Sequence, residues 1–354
     1  MKDARRSIAI WALTPDGARI AQIIAHRFRG ASVFTGRAVS RPPEGAASFS
    51  SLADAVAAEF TRFEAHVFIM AAGIAVRIIA PHIKTKQTDP AVVAIDDAGH
   101  FAVSLLSGHT GGANHLAGLV ARCTGAMPVI TTATDNAGVP AIDALVKSQG
   151  LFMENPEAVK AVSMAFLTGS KVWIHDPRKI LASDVEAFCE PVDRSFGSVA
   201  DAAASGIAGI FIDPAEVDLP DTVLIVRPRT LGVGAGCNRN TPAWELICAV
   251  QAVFDQYGLS VASIDCFATI EEKTREPGMI EMADYYGRPL RGYPKEELAA
   301  VRNLESPSKM VHKHMGVESV CEAAAMIQAK APSLLIPKQK TKNTTVAVAE
   351  KPCT

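Results

Sequence analysis

The feature that most constrains this chain is a strand, a glycine-rich turn and a helix in immediate succession. The apolar run over 101–106 reads as a strand, and residues 115–123 repeat apolar positions at helical spacing. Between them lies Ser107-Gly108-His109-Thr110-Gly111-Gly112-Ala113-Asn114. Three glycines there permit positive φ and a close approach of backbone to a ligand. The free N–H groups and the dipole of the following helix favour an anion. The plain alternative for the same residues is a tight βα turn without a ligand.

The first 140 residues keep this alternation. Strands are expected at 7–13, 32–35, 67–72, 92–96 and 127–131, and helices at 16–28, 51–63, 74–79 and from 112. A turn at 97–99 joins 92–96 to 101–106. This pattern indicates an α/β layer fold with a largely parallel, doubly wound sheet. The stretch 141–226 is less regular. It holds strands at 172–175, 209–213 and 223–226, is punctuated by Pro177, Pro191, Pro214, Pro220 and Pro228, and carries no chemical constellation. Alternation then resumes, with strands at 230–234 and 261–267 and a helix at 242–257 for which Thr241 is the expected N-cap. Helices at 279–286 and 319–330 follow, then short strands at 334–336 and 344–348. Lys338, Lys340 and Lys342 read as a solvated connection. The expected organisation is an N-terminal doubly wound α/β domain over 1–140, a smaller middle α/β domain over 141–226 and a C-terminal α/β domain over 227–354.

Composition narrows the partners. A net charge of −2 argues against nucleic acid or an anionic membrane surface. No apolar run reaches the roughly 18 residues needed to span a bilayer, and 7–13 is too short for a signal peptide. The seven cysteines are scattered without a CxxC pair, as expected of reduced thiols in a cytoplasmic protein. With no HExxH and no close His/Cys cluster, no metal centre is expected. The GxSxG elbow of α/β-hydrolases is missing as well.

Four groups of residues are candidates for chemistry. In the first turn, His109 suits proton transfer at neutral pH or simple hydrogen bonding, and Ser107, Gly108, Gly111, Gly112 and Asn114 surround it. Gly73 opens the second, where Arg77, Lys84 and Lys86 can hold carboxylates or form a solvated basic face. Asp89 precedes a proline and so favours an extended turn there. Thr131, Thr132, Thr134 and Asp135 follow a strand, where open α/β sheets bind ligands or where hydroxyls merely cap the strand end. Gly232 and Gly234 begin a second glycine turn that leads to a helix, where Cys237 is a thiolate nucleophile at the helix start or, more simply, a small turn residue. Lys273 and Glu276 sit in a charged loop before another helix.

Taken in order, Gly73 to Pro81, Lys86, Asp89 to Val92, Leu105 to Asn114 and Val129 to Asp135 resemble the N-terminal region of the cobalt-precorrin-5A hydrolase family, CbiG. Gly232-Val233-Gly234 with Cys237, Lys273 with Glu276-Pro277-Gly278, Pro307-Ser308 and Val320 to Ala325 resemble its C-terminal domain, which is also similar to CobE. Cys321 stands where the family commonly has a smaller residue, and 267–270 is a looser version of the family pattern. The resemblance implies opening of a ring-A δ-lactone and release of acetaldehyde in anaerobic cobalamin synthesis. The cobalt comes with the substrate, so it implies no metal or cofactor of the chain's own. The implied partner is a cobalt-corrinoid intermediate, with room for other enzymes of the pathway.

Such a substrate is a flat ring rimmed by carboxylates, which glycine turns at helix starts and scattered cations can hold. His109 is the expected acid/base, with Asp135 and Glu276 as reserve bases. The N–H groups of Gly111 and Gly112, with Ser107 and Asn114, are the expected carboxylate or oxyanion holders. Gly73, Arg77, Lys84, Lys86, Asp89, Gly108, Thr131, Thr132, Thr134, Gly232, Gly234, Lys273 and Ser308 complete the expected substrate site. Two other readings fit the same loops: a corrinoid carrier without catalysis, and a nucleotide- or sugar-phosphate-binding α/β enzyme.

Overall fold

The computed structural model describes residues 7–85, 88–109, 111–302, 304 and 319–353. Lys86 and Ser308 therefore lie outside the described residues. The chain forms two compact units, one ending at Ala144 and one beginning at Leu145. Among the described residues no helix is long and apolar enough to cross a membrane.

The first unit is built on a seven-stranded sheet: β1 (Ile8–Ala12), β2 (Ser32–Gly36), β3 (Ala47–Phe49), β4 (Ala65–Ile69), β5 (Ala91–Ile95), β6 (Phe101–Leu106) and β7 (Met127–Val129). Its order is β3-β2-β1-β4-β5-β6-β7. Every residue of β1, β4 and β5 is buried because both faces of the sheet are covered; β1 and β5 read as unbroken apolar runs, and only His66 interrupts β4. Alternate residues serve alternate faces. Ile8, Ile10, Val67 and Val93 pack beneath α1 (Pro15–Arg27) and α4 (Ala113–Thr124). Trp11, Phe68, Val92 and Ala94 pack beneath α2 (Leu52–Glu59) and α3 (Ala72–Ile79). On that second face the buried His66 accepts a hydrogen bond from the Trp11 indole at 3.1 Å and donates through Nε2 to the Phe60 carbonyl at 3.0 Å. Burial pushes its pKa down to about 4, so the ring is neutral.

Strand direction changes within this sheet. β1 to β5 run parallel, β6 pairs antiparallel with β5, and β7 runs parallel to β6. The register Val92↔Leu106 and Ile95↔Ala102 places the end of β6 beside the start of β5. The turn after β6 and the loop after β7 thus lie at the edge where β1, β4 and β5 begin. The usual ligand crevice of a doubly wound sheet is at the opposite edge.

The second unit carries two five-stranded sheets. One contains β8 (Phe152–Met153), β9 (Val172–His175), β10 (Cys189–Pro191), β11 (Gly209–Ile212) and β12 (Val223–Arg227) in the order β10-β9-β11-β12-β8. The other contains β13 (Leu231–Cys237), β14 (Ile264–Ile270), β15 (Leu290–Tyr293), β16 (Ile336–Lys340) and β17 (Thr344–Glu350) in the order β15-β14-β13-β17-β16. Arg178 ties the two together through the Lys351 carbonyl at 2.8 Å and the Glu350 carboxylate.

Two expectations change here. Gly232 and Gly234 form no turn; they lie inside β13 and are buried. Leu231, Val233 and Ala235 face the helix Ala243–Tyr257, while the alternate glycines face the helix Val320–Ala329. A Cβ on Gly234 would come within 1.7 Å of the Cys321 carbonyl oxygen, so glycine lets this helix lie directly on the strand. Thr241 is not the N-cap either. Pro242 holds that position without a side-chain bond, and the Thr241 hydroxyl instead donates to the Asn238 carbonyl at 2.9 Å.

Candidate functional site

The turn after β6 is held by its own backbone. Ser107 is buried at φ 57°, and its hydroxyl donates to the Asp89 carbonyl at 3.0 Å. The Asp89 carboxylate accepts the Lys84 N–H on both oxygens at 3.0 Å, which ties Lys84 to the residue that Ser107 bonds. Gly112 caps α4 at φ 86°, a conformation that costs glycine little. Gly111 packs so closely that a Cβ would reach 2.2 Å from that of Ser107.

The donors at the start of α4 are engaged inside the turn. The N–H groups of Gly112, Ala113 and Asn114 donate to the carbonyls of His109, Ser107 and Gly108 at 2.9, 3.0 and 3.0 Å. This corrects the expectation that the Gly112 N–H holds an anion: the turn closes on the helix and uses that donor itself. Likewise, the Asp89 carboxylate is committed to its own loop.

What the turn presents is a side-chain cluster. His109 Nε2 lies 2.9 Å from Asp135 Oδ2 and 2.8 Å from Thr134 Oγ1. Asn114 Nδ2 donates to the same Asp135 oxygen at 2.9 Å and to Thr132 Oγ1 at 3.1 Å. The Thr132 hydroxyl also donates to that carboxylate. Asp135 belongs to α5 (Ala133–Ala137), the short helix after β7, with Thr132 at its N-cap. A carboxylate on one ring nitrogen sets the tautomer and the orientation of the ring, the arrangement of an oriented acid/base. The His109 side chain is 15% exposed and that of Asp135 41%, so the pair is screened yet reachable. Asn114 Oδ1 is buried, faces Gly108 and has no hydrogen-bond partner among the described residues.

The structure therefore gathers Lys84, Asp89, Ser107, Gly108, His109, Gly111, Gly112, Asn114, Thr132, Thr134 and Asp135 at one edge of the first sheet. Thr131 is exposed just before α5. Gly73 and Arg77 are exposed on α3; Gly73 follows the end of β4 and so sits at the other edge of the sheet from Ser107. In the second unit, Gly232 and Gly234 are covered by a helix. Lys273 pairs with Glu276 at 2.9 Å. The Lys273 ammonium and the Asn240 N–H hold the Glu276 carboxyl below its ordinary range, which weakens it as a base. Burial pushes the Cys237 thiol up, against thiolate chemistry. Sequence reasoning missed Thr269, which lies within the apolar strand β14, where threonine reads only as a strand former.

The fold is that of a three-sheet α/β protein, and its sequence matches the three regions of the cobalamin synthesis G class. Residues 54–135 match the N-terminal region of that class, 140–228 its central region and 231–349 its C-terminus. The chain is 31% identical over 365 residues to the cobalt-precorrin-5A hydrolase of Priestia megaterium, spanning 98% of this chain and 95% of that one. It is 33% identical over 327 residues to the enzyme of that name from Salmonella typhimurium, spanning 91% of each. A 107-residue stretch is 29% identical to protein CobE of a Sinorhizobium species, covering 30% of this chain and 70% of CobE. The chain belongs to the cobalt-precorrin-5A hydrolase family.

Proposed function

We propose that this chain hydrolyses cobalt-precorrin-5A, opening the ring-A δ-lactone and releasing acetaldehyde to leave cobalt-precorrin-5B. Near full-length similarity to two hydrolases of that name supports the reaction. The observation that carries the assignment of roles is the 2.9 Å contact between His109 Nε2 and Asp135. A carrier has no need of an oriented imidazole at its ligand.

In this reading Nε2–H donates to Asp135, and Nδ1 takes a proton from water as its oxygen attacks the lactone carbonyl. The tetrahedral oxyanion collapses, the ring C–O bond breaks, and the imidazolium returns the proton to the leaving alkoxide. The carbinol so formed then loses its O–H proton to the same ring nitrogen. Its C–C bond to the macrocycle breaks, the electron pair passes to the macrocycle carbon, and that carbon takes up the proton. One water is consumed and one acetaldehyde leaves. Asn114 and Thr132 hold Asp135 in place. Thr134 holds His109, and the exposed Lys84 and Arg77 meet peripheral carboxylates. Cobalt enters as part of the substrate, and the residues above need no cofactor for these proton transfers. The matched regions favour domain boundaries in the chain near residues 140 and 227.

Single-turnover mixing of the purified chain with cobalt-precorrin-5A tests this. About one equivalent of acetaldehyde per enzyme is expected. Binding without acetaldehyde would mark a carrier, and retention of a nucleotide without tetrapyrrole affinity would mark the third reading.

A further inference from the structure

We infer that the C-terminal sheet carries a second binding site, which takes a carboxylate borne on an apolar arm. Resting on the substrate assigned above, its occupant is an acid side arm of the tetrapyrrole. A cavity of about 300 Å³ opens at the C-terminal ends of the parallel strands β13 and β14. That edge is where open α/β sheets bind ligands. The ten-residue helix Val320–Ala329 begins at this cavity, and Ser319 at its N-cap makes no capping hydrogen bond. The positive end of a helix is therefore directed at the space.

The lining includes Lys273, Lys338, Lys340 and Lys342. Lys273 pairs with Glu276, and the Lys338 N–H donates to the buried Glu322 carboxylate in the first turn of the helix, so the positive charge of the rim rests on the exposed Lys340 and Lys342. Lys340, at the end of β16, and Lys342, in the turn before β17, are exposed at the rim, as a solvated connection implies, while Lys338 lies inside β16. The independent observation is Thr269. It lines the cavity at 0% exposure, and its hydroxyl is buried without a hydrogen-bond partner among the described residues. An unpartnered buried hydroxyl is unfavourable in the empty fold, and a bound acceptor relieves it. Ile270 and Val320 add apolar surface beside it. A cavity of this size admits an acid arm and not a whole macrocycle, and its apolar wall favours a carboxylate on carbon over free phosphate.

The test uses the full chain, titrated with a cobalt corrinoid bearing free carboxylic arms, with its methyl ester and with inorganic phosphate. Thr269→Val keeps the side-chain shape and removes the hydroxyl. Its thermal midpoint should stay or rise, while affinity for the free acid falls roughly tenfold. Lys340→Gln with Lys342→Gln should weaken the free acid a few-fold more and flatten the dependence of affinity on salt. Several results would overturn the site: equal affinity for acid and ester, competition by equimolar phosphate, or Thr269→Val that loses stability and keeps affinity. Acetaldehyde release by the wild-type chain reports the hydrolase reading alone. Release with affinity untouched by these variants sinks this inference only. Acid-specific affinity that the variants weaken, without release, upholds it and sinks the hydrolase reading.

Discussion

The turn at 107–112 and strand β13 both string glycines between an apolar run and a helix, but glycine serves a different need in each. In the turn, Gly112 supplies a left-handed step and Gly111 room for the chain to fold back on Ser107. The result projects one histidine toward a carboxylate. In β13, Gly232 and Gly234 supply a bare strand face on which the helix Val320–Ala329 rests. Spacing separates the cases. Glycines two apart fall on one face of a strand, whereas adjacent glycines beside polar residues break the strand. The first segment needs its glycines to present a side chain, and the second needs them to exclude one.

The contrast can be broken most sharply at His109. His109→Ala should lower single-turnover acetaldehyde release by about 10²–10⁴-fold, the usual worth of a positioned acid/base, with the thermal midpoint unchanged. Release within a few-fold of wild type would reduce the turn to a grip. Gly234→Ala should do the reverse. With its Cβ 1.7 Å from a backbone oxygen, the helix must lift. Urea unfolding should then report a loss of about 3 kcal/mol, at the upper end for overpacking.

A third experiment compares His109 with the buried histidine of its unit. His66 is buried and neutral, its pKa lowered from 6.5 to about 4. The depressed value means the unfolded chain binds the proton more tightly. Its contribution to stability is therefore complete above pH 6.5 and is lost as pH falls toward 4, by about 3 kcal/mol in all. Denaturation of the His66→Gln variant should be less steep over that window; an unchanged slope would place the pH dependence elsewhere. The smallest effect is expected of Gly108→Ala. Its Cβ would meet Asn114 Oδ1 at 2.8 Å, a side-chain atom that can yield. A stability loss near 1 kcal/mol is expected, with a measurable fall in acetaldehyde release as Asn114 shifts against Asp135.

Much of the first sheet was legible because burial on both faces writes β1 and β5 as continuous apolar runs and β4 as one broken only by His66. The turn at 97–99 was legible too, and with it the β5–β6 hairpin. The reversal of polarity that the hairpin imposes is a property of the sheet, and local pattern does not state it. That reversal brings Asp135 to His109 and leaves Gly73 at the far edge. All members of the cluster were visible as candidates, because polar residues after apolar strands stand out. Their pairing was not, since Asp135 lies 26 residues from His109. The glycines of β13 were misread because a bare strand face and a flexible turn use the same residue. The cavity beside Thr269 left no trace in sequence, since the lysines around it look like any solvated run.

The hairpin between β5 and β6 has a practical consequence. Its tip is knotted locally by the Asp96 carboxylate, which accepts the N–H groups of Ala98, His100 and Phe101. By the β5–β6 register, that tip lies the full length of the strands away from Ser107. Ala98 is exposed there. The tip is thus a natural point of attachment, where a fluorophore or an epitope can ride on the same two strands that frame the histidine without entering its surroundings.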